Sequence, residues 1–432
     1  MDNPILDQNI VIPKNKNAYS DQLRTDIEAS INNTKSVFKF GLNKLDMCIG
    51  GILPHNYYVW LGESGTGKSA FLYSKIIFNI VYQLFADINK DLRDQSVDFN
   101  KLAVYINQHS IEPNTSSIPG EYKKIIYFII EKVRSKTRMR LHSLEIAKIR
   151  VIKKYFCHWL YSVPPKDRRW LIDTRYLDGG YGNPHPSVLN WLDNKYFVIM
   201  TFILDTALYI SEIKTADDIK VITDNDLNWL EKKYAGEPLY LSMMDHPGLI
   251  QGKGDLRLVI NDMSSWAVGL RNTSNTSIHW VYQVTPYTDA KKNIKFLHPD
   301  FENLRDSKNP FMDADVVVSF ASPYKKGYES INYGNGHYFV DPTSAANNGF
   351  GMGHRLIICK LGKDREGSPS NLLAFLFIGE TGEYIEIPVP DEIVDIPAFY
   401  DEIASITKTY MDPDHEIYYV NRLKEIEKLK EV

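Results

Sequence analysis

The stretch "GESGTGKSAF" (residues 62–71) fits the pattern G-x-x-x-x-G-K-[S/T] and constrains the fold of the surrounding chain. Its glycines let the backbone curl so that several N–H groups face one concavity, which suits phosphate oxygens. The preceding "YYVWL" (57–61) predicts a buried strand, and "KSAFLYSKIIFNIVYQLFADI" (68–88) predicts a helix. A Gly-Ser turn that matches by chance is the alternative, but it does not account for this strand–loop–helix context.

The loop therefore predicts a site for ATP and Mg²⁺. Lys68 is expected to reach the β- and γ-phosphates, and the Ser69 hydroxyl to complete the magnesium shell. The predicted cofactor-binding residues are Gly62, Glu63, Ser64, Gly65, Thr66, Gly67, Lys68, Ser69 and Ala70.

Composition excludes several classes of protein. A net charge of −4 over 432 residues is not that of a polycation, so nucleic-acid contacts are expected only on local basic loops. The three cysteines are far apart, which argues against a zinc site or a disulfide framework and favours a reducing compartment. The first residues do not resemble a signal peptide, and the apolar run at 196–210 is too short to span a membrane. We expect a cytoplasmic protein without membrane contact.

Apolar runs with helices between them predict an α/β fold, a mostly parallel sheet covered on both faces. Besides 57–61, strands are predicted within residues 101–110, 255–265, 277–286, 313–323 and 354–367, with a hairpin at 371–387. We divide the chain into an N-terminal arm with a short helix (1–35), a main domain (36–390) and a C-terminal helical tail (391–432). Within the main domain, residues 113–250 are predicted to be largely helical.

This helical region contains nine basic residues whose role the sequence leaves open. They are either a solvated helix surface or a surface for nucleic acid, and the first interpretation is favoured. The residues are Lys132, Arg134, Lys136, Arg138, Arg140, Lys148, Arg150, Lys153 and Lys154.

Two polar residues at predicted strand ends extend the site. Asp262, in "LVIND" (258–262), is predicted as the second magnesium partner, because such a carboxylate lies beside the phosphates. Gln283, in "WVYQV" (280–284), is expected either to contact the γ-phosphate or the attacking water, or to be a polar residue facing a loop.

Taken in order, several motifs resemble those of DnaB-type replicative helicases, the hexameric RecA-like family of bacteria and their phages. The segments are "GLNKLDMCIGGI" (41–52), the phosphate loop, "LVIND", "VYQV" (281–284), "ENLRDSKNPFMDADVVVSF" (302–320) and "IICKLGKDREGSPS" (357–370). The resemblance covers roughly residues 35–390, with a loose match from about 113 to 250, and is typical of a divergent phage member.

The resemblance implies a RecA-like P-loop NTPase core that assembles as a homohexameric ring with ATP between neighbouring subunits. Lys363 and Arg365 match the family's finger pair, which enters the adjacent subunit's site. Loops facing the central channel are expected to bind single-stranded DNA through Lys291, Lys292, Lys295, Lys325 and Lys326. A disordered surface excursion is the alternative for residues 322–353. The helix at 18–35 resembles the family's linker helix.

Two departures separate the chain from this family. The family has a catalytic Glu just after its second strand, where the order of motifs puts Gln108; an amide is a poor general base, so either Glu112 substitutes or turnover is slow. The N-terminus is too short for the family's primase-interacting domain, so contact with primase, if any, differs. An ATP-driven helicase is the leading hypothesis. A non-motor ATPase that binds ATP to assemble, or a structural or loader protein, is the alternative.

Overall fold

The computed structural model describes residues 38–111, 117–143, 147–162, 170–179, 184, 186–212, 215–284, 298, 307–365 and 372–406. The longer helices are α1 Asn43–Ile49, α2 Lys68–Asp94, α3 Phe99–Ile111, α4 Gly120–Arg134, α5 Lys148–Ser162, α6 Lys195–Ala207, α7 Ala216–Tyr234, α8 Leu256–Thr273 and α9 Ile396–Ile406. The predicted arm and helix within residues 1–35 lie outside the described residues. The described part of the predicted C-terminal tail contains α9.

Nine strands form one sheet in the order β11-β10-β9-β6-β1-β5-β4-β2-β3. The strands are β1 Asn56–Gly62, β2 Thr137–Ser143, β3 Leu208–Ser211, β4 Leu239–Asp245, β5 Thr276–Gln283, β6 Val316–Ala321, β9 Leu356–Asp364, β10 Leu372–Ile378 and β11 Glu383–Glu386, while β7 Ser330–Tyr333 and β8 Gly336–Phe339 form a separate hairpin. Strands from β6 to β3 run parallel, and β9, β10 and β11 are antiparallel. The predicted α/β class, with a mostly parallel sheet and a C-terminal hairpin, is confirmed.

The central strand β1 is buried on both faces because its side chains alternate between two cores. Tyr58 and Trp60 pack with α2 on one face. Tyr57, Val59 and Leu61 pack with α7 and α8 on the other. This double burial explains why the strand is a continuous apolar run.

Two of the predicted strands are wrong. Residues 101–110 lie in α3, and residues 255–265 lie mostly in α8. In α8 the buried residues Val259, Met263, Ala267 and Leu270 follow helical spacing, whereas Leu258 is 62% exposed. Each short apolar run is therefore part of an amphipathic helix, which a short window cannot distinguish from a strand.

The region 113–250 is largely helical as predicted, but it also supplies three strands of the main sheet. These are β2, β3 and β4. The apolar run at 196–210 covers almost all of α6 and the start of β3. Because β4 is buried along its whole length, it reads as an uninterrupted apolar run without the alternation of a surface strand.

Acidic partners pair with five of the nine basic residues in this region. Lys132 pairs with Asp91, Lys148 with Asp205 and Lys153 with Asp178. Both Arg138 and Arg140 pair with the same carboxylate, that of Asp226. The three lysine pairs support the predicted helix surface, but that prediction is wrong for Arg138 and Arg140, which lie on β2 with side chains only 13% exposed.

The helix α2 is the one described segment that is long and apolar enough to cross a membrane by length and composition. Most of its apolar stretch, 61%, is buried inside the fold. A helix at the centre of a large core has the same properties, so this finding is weak evidence for a membrane span.

Candidate active site

The phosphate loop connects the end of β1 to the start of α2, as predicted. Gly65 and Gly67 have φ values of +69° and +89°, which favour glycine. A Cβ atom on Gly67 would lie 1.9 Å from the Tyr384 hydroxyl, so β11 closes against the loop. The loop therefore has the backbone form that places N–H groups around phosphates.

Lys68 lies inside the loop, and its Nζ donates to the Glu63 carbonyl at 2.7 Å. Burial lowers the pKa of Lys68 to about 8; Asp245 opposes this shift, and Lys325 adds to it. An ammonium group in this setting gains from a nearby anion, because the charged form has lost much of its hydration.

The carboxylate beside the loop is Asp245, the last residue of β4. Ser69 Oγ donates to Asp245 Oδ1 at 2.9 Å, and the Tyr73 hydroxyl is 3.5 Å from Asp245 Oδ2. A hydroxyl and a carboxylate are the hard oxygen donors that Mg²⁺ prefers next to phosphates. Ser69 and Asp245 therefore fit a magnesium ion.

The prediction that Asp262 holds the metal is wrong in its premise, because Asp262 lies on α8 and not at a strand end. Its carboxylate is 2.5 Å from Lys220 Nζ, and its side chain is 66% exposed. The pattern that pointed to "LVIND", an apolar run ending in Asp, also occurs in "LYLSMMD" (239–245). It was missed because residues 113–250 were interpreted as helical.

Gln283 ends β5, between the phosphate-loop strand and the strand of Asp245. It is in register with Gly62, and its Oε1 lies 3.1 Å from His246 Nε2. The predicted position at a strand end beside the loop is confirmed. The residue is exposed at this end of the strand and is not part of the core.

The second strand of the chain is β2, not residues 101–110. Gln108 is therefore an exposed residue of α3, and its assignment to the catalytic position is wrong. The strand β2 lies beside β4, with Ser143 in register with Asp245. The sequence continues with Leu144 and Glu145, so a carboxylate does follow the second strand. Glu145 and the proposed substitute Glu112 lie outside the described residues.

Lys325 and Lys326 do not lie on an open channel loop. They belong to a short helical turn, Tyr324–Lys326, that follows β6 and packs against the phosphate loop. Lys325 Nζ donates to the Ser64 and Gly65 carbonyls at 3.0 and 2.9 Å, and Lys326 pairs with the Glu63 carboxylate. Their predicted role in binding DNA is corrected accordingly, while Lys291, Lys292 and Lys295 lie outside the described residues.

The segment after this turn is ordered in part, with the β7–β8 hairpin inside it. Tyr338 is fully buried in this part of the structure, and its hydroxyl donates to the Pro388 carbonyl at 2.6 Å. The alternative of a disordered excursion is therefore wrong for this segment.

Lys363 and Arg365 lie at the amino end of the parallel strands, whereas the phosphate loop lies at their carboxyl end. Lys363 is in register with the start of β6, and the Arg365 N–H donates to the carbonyl of Asp315, which precedes β6. Asp315 in turn contacts Tyr57, five residues before Gly62, a separation of about 17 Å along β1. The Arg365 guanidinium is held by the Asp315 carboxylate, at 3.4 Å, and by main-chain carbonyls. The pair is thus remote from the phosphate loop of its own chain.

A cavity of about 250 Å³ lies beside α2, and its lining includes Ala70, the residue after Ser69. It is lined by Ala70, Tyr73 and Ser74 of α2, by Lys154 of α5 and by the turn at 379–382. Lys154 Nζ lies 4.7 Å from the centre of the Tyr73 ring. Burial lowers the pKa of Lys154, and Asp245 opposes that shift. The cavity therefore lies against the part of α2 that directly follows the phosphate loop.

No protein-family model matches the sequence. No curated protein matches it either. Solved structures do match. A DnaB-like replicative helicase, described with its interactions with primase, has a TM-score of 0.53 and 14% identity over 85% of this chain and 67% of that one.

A second solved structure, described as an ATPase domain, also has a TM-score of 0.53 and 14% identity, over 85% of this chain and 98% of that one. The described fold is similar to that of both structures, a DnaB-like replicative helicase and an ATPase domain. The likeness to DnaB-type helicases suggested by the sequence motifs is confirmed at the level of the fold.

Proposed function

We propose that this chain is an ATP-hydrolysing DNA helicase that works as a ring on single-stranded DNA. The observation that carries the proposal is the Ser69–Asp245 contact at 2.9 Å beside a complete phosphate loop. Gln283 ends β5, which lies between β1, the strand that leads into the loop, and β4, the strand that ends at Asp245. Together these groups supply what phosphoryl transfer requires, namely positioning and charge stabilisation.

In this proposal Lys68 leaves the Glu63 carbonyl to contact the β- and γ-phosphates. Ser69 and Asp245 would hold Mg²⁺, which would supply positive charge to neutralise the phosphate oxygens. Glu145, two residues beyond β2, accepts a proton from the attacking water. This assignment removes the need for Glu112 or Gln108 as the base.

Assembly follows from the position of the finger pair. Lys363 and Arg365 lie at the end of the strands that is remote from their own phosphate loop. We therefore propose that they act on a neighbouring subunit's nucleotide. A repeated head-to-tail contact forms a ring where its rotation closes, and we propose a ring of six subunits. Contacts with primase and a cytoplasmic location remain part of the proposal.

One observation favours a second candidate, a non-motor ATPase that binds ATP to assemble. Lys325 and Lys326, expected to hold DNA, contact the phosphate loop instead. The case for DNA translocation therefore depends more heavily on residues outside the described part of the chain.

Steady-state ATPase activity with and without single-stranded DNA, together with unwinding of a forked duplex, tests the proposal. A motor hydrolyses ATP faster with DNA and separates the strands. Protein that hydrolyses ATP but shows neither property is the assembly ATPase. Lys68→Ala is the control that removes the nucleotide site in both assays.

A further inference from the structure

The phosphate loop is contacted by a lysine that the loop motif does not include. The strand β6 lies directly beside β1, so the turn that follows it, Tyr324–Lys326, emerges next to the loop. Lys325 Nζ donates to the carbonyls of Ser64 and Gly65, at 3.0 and 2.9 Å. A Cβ atom on Gly65 would lie 2.4 Å from this Nζ, so the lysine would have to shift if any other residue stood there.

Positive charge accumulates around the loop. Lys68, Lys325 and Lys326 all contact residues 63–65, whose one carboxylate, on Glu63, pairs with Lys326. Two ammonium groups are then left on neutral carbonyl oxygens, with Asp245 as the nearby carboxylate for Lys68. Like charges held together in a partly buried loop repel each other, and a polyanion relieves that repulsion.

We propose that Lys325 is a second phosphate-binding lysine, which contacts the terminal phosphate of ATP bound in the same chain. The inference rests on the proposed ATP site and deepens it. The start of α2 is expected to hold the inner phosphates, and Lys68 to reach the β- and γ-phosphates. Lys325 contacts the loop at Ser64 and Gly65, and its charge acts on Lys68.

Lys325 lies at the start of the segment that contains the β7–β8 hairpin. Its turn leads into the β7–β8 hairpin, so a change in the partner of Lys325 acts on the start of this segment. Exchange of two loop carbonyls for a phosphate therefore links the presence of the terminal phosphate to the position of residues 324–326. ADP, without that phosphate, leaves Lys325 on the carbonyls.

The test measures the affinities of AMP-PNP and ADP by titration calorimetry for the full chain and for Lys325→Ala. A charge-assisted contact predicts an affinity for AMP-PNP that is lower by ~10–100-fold, with a change of at most about twofold for ADP. Lys325→Arg keeps the charge and should recover most of the affinity. Lys90→Ala is the matched control, because Lys90 is exposed and lies about 30 Å from Lys68 along α2.

Several results overturn the inference. Unchanged affinity for AMP-PNP in Lys325→Ala is one. Equal losses for AMP-PNP and ADP are another, because they show that Lys325 only shapes the loop. Wild-type protein that binds neither nucleotide overturns both the inference and the ATP site. Wild-type binding that is lost in Lys68→Ala but kept in Lys325→Ala retains the site and rejects the inference alone.

Discussion

Ser69 Oγ and Asp245 Oδ1 are 2.9 Å apart although 176 residues separate them in the chain. The contact exists because β1 and β4 flank β5 in one parallel sheet, so their carboxyl ends meet at the same edge. Ligand sites of α/β folds lie at this edge. The pair therefore marks the place that we propose for magnesium.

Asp245 is expected to hold Mg²⁺, so Asp245→Asn should lower magnesium-dependent ATPase activity by ~10–100-fold. The matched variant is Asp262→Asn, which changes an exposed carboxylate on α8 and should leave activity within about twofold. Magnesium titrations of ATPase activity distinguish them. Equal effects of the two substitutions would contradict the assignment.

Glu145 is expected to be the general base. Glu145→Gln should lower turnover by ~10²–10⁴-fold while leaving nucleotide affinity unchanged, because only proton acceptance is lost. Gln108→Ala, on the exposed face of α3, should have no effect on turnover. Single-turnover hydrolysis and calorimetric affinity provide the two readouts. A turnover defect in Gln108→Ala but not in Glu145→Gln would reverse the assignment.

Nucleotide affinity should depend on pH through Lys68. Burial lowers the pKa of Lys68 to about 8, against Asp245, so the ligand-free protein loses this proton as the pH rises through that value. Phosphates favour the charged ammonium, so binding above this pH takes up a proton. Affinity should therefore hold below about pH 8 and then fall by up to ~tenfold per pH unit.

Calorimetry in buffers with different ionisation enthalpies measures that proton uptake directly. The groups around Lys68 are Asp245, Glu63 and Lys325. Constant affinity up to about pH 9.5, without proton uptake, would show that Lys68 stays charged in the free protein.

The finger pair predicts complementation between defective subunits. Arg365→Ala should reduce ATPase activity by ~10³–10⁵-fold if the guanidinium acts in the transition state. Lys68→Ala subunits are inactive but carry an intact finger. An equimolar mixture should regain on the order of a quarter of wild-type activity, because one interface in four joins an intact site to an intact finger. No recovery, in a mixture shown to assemble, would mean that Arg365 acts elsewhere.

The phosphate loop, its strand and its helix could be predicted from local sequence, since each depends on glycine, on continuous apolar residues or on helical spacing within a few turns. The same holds for β5, β6, β9 and the C-terminal hairpin. The segments at 101–110 and 255–265 failed because a short amphipathic helix and a buried strand share the same apolar letters. Because residues 101–110 were taken as the second strand in place of β2, the catalytic position was assigned to Gln108 and not to Glu145.

The sequence by itself determined the strand, the glycine-containing loop and the helix at residues 57–88, and the mostly parallel sheet around them, because these features are encoded in contiguous residues. Only the tertiary structure decided which carboxylate faces Ser69, since strand order brings Asp245, and not Asp262, to the loop. It likewise placed Lys325 on Ser64 and Gly65 rather than on an open surface. Contacts across hundreds of residues depend on how the strands are ordered, which local spacing does not encode.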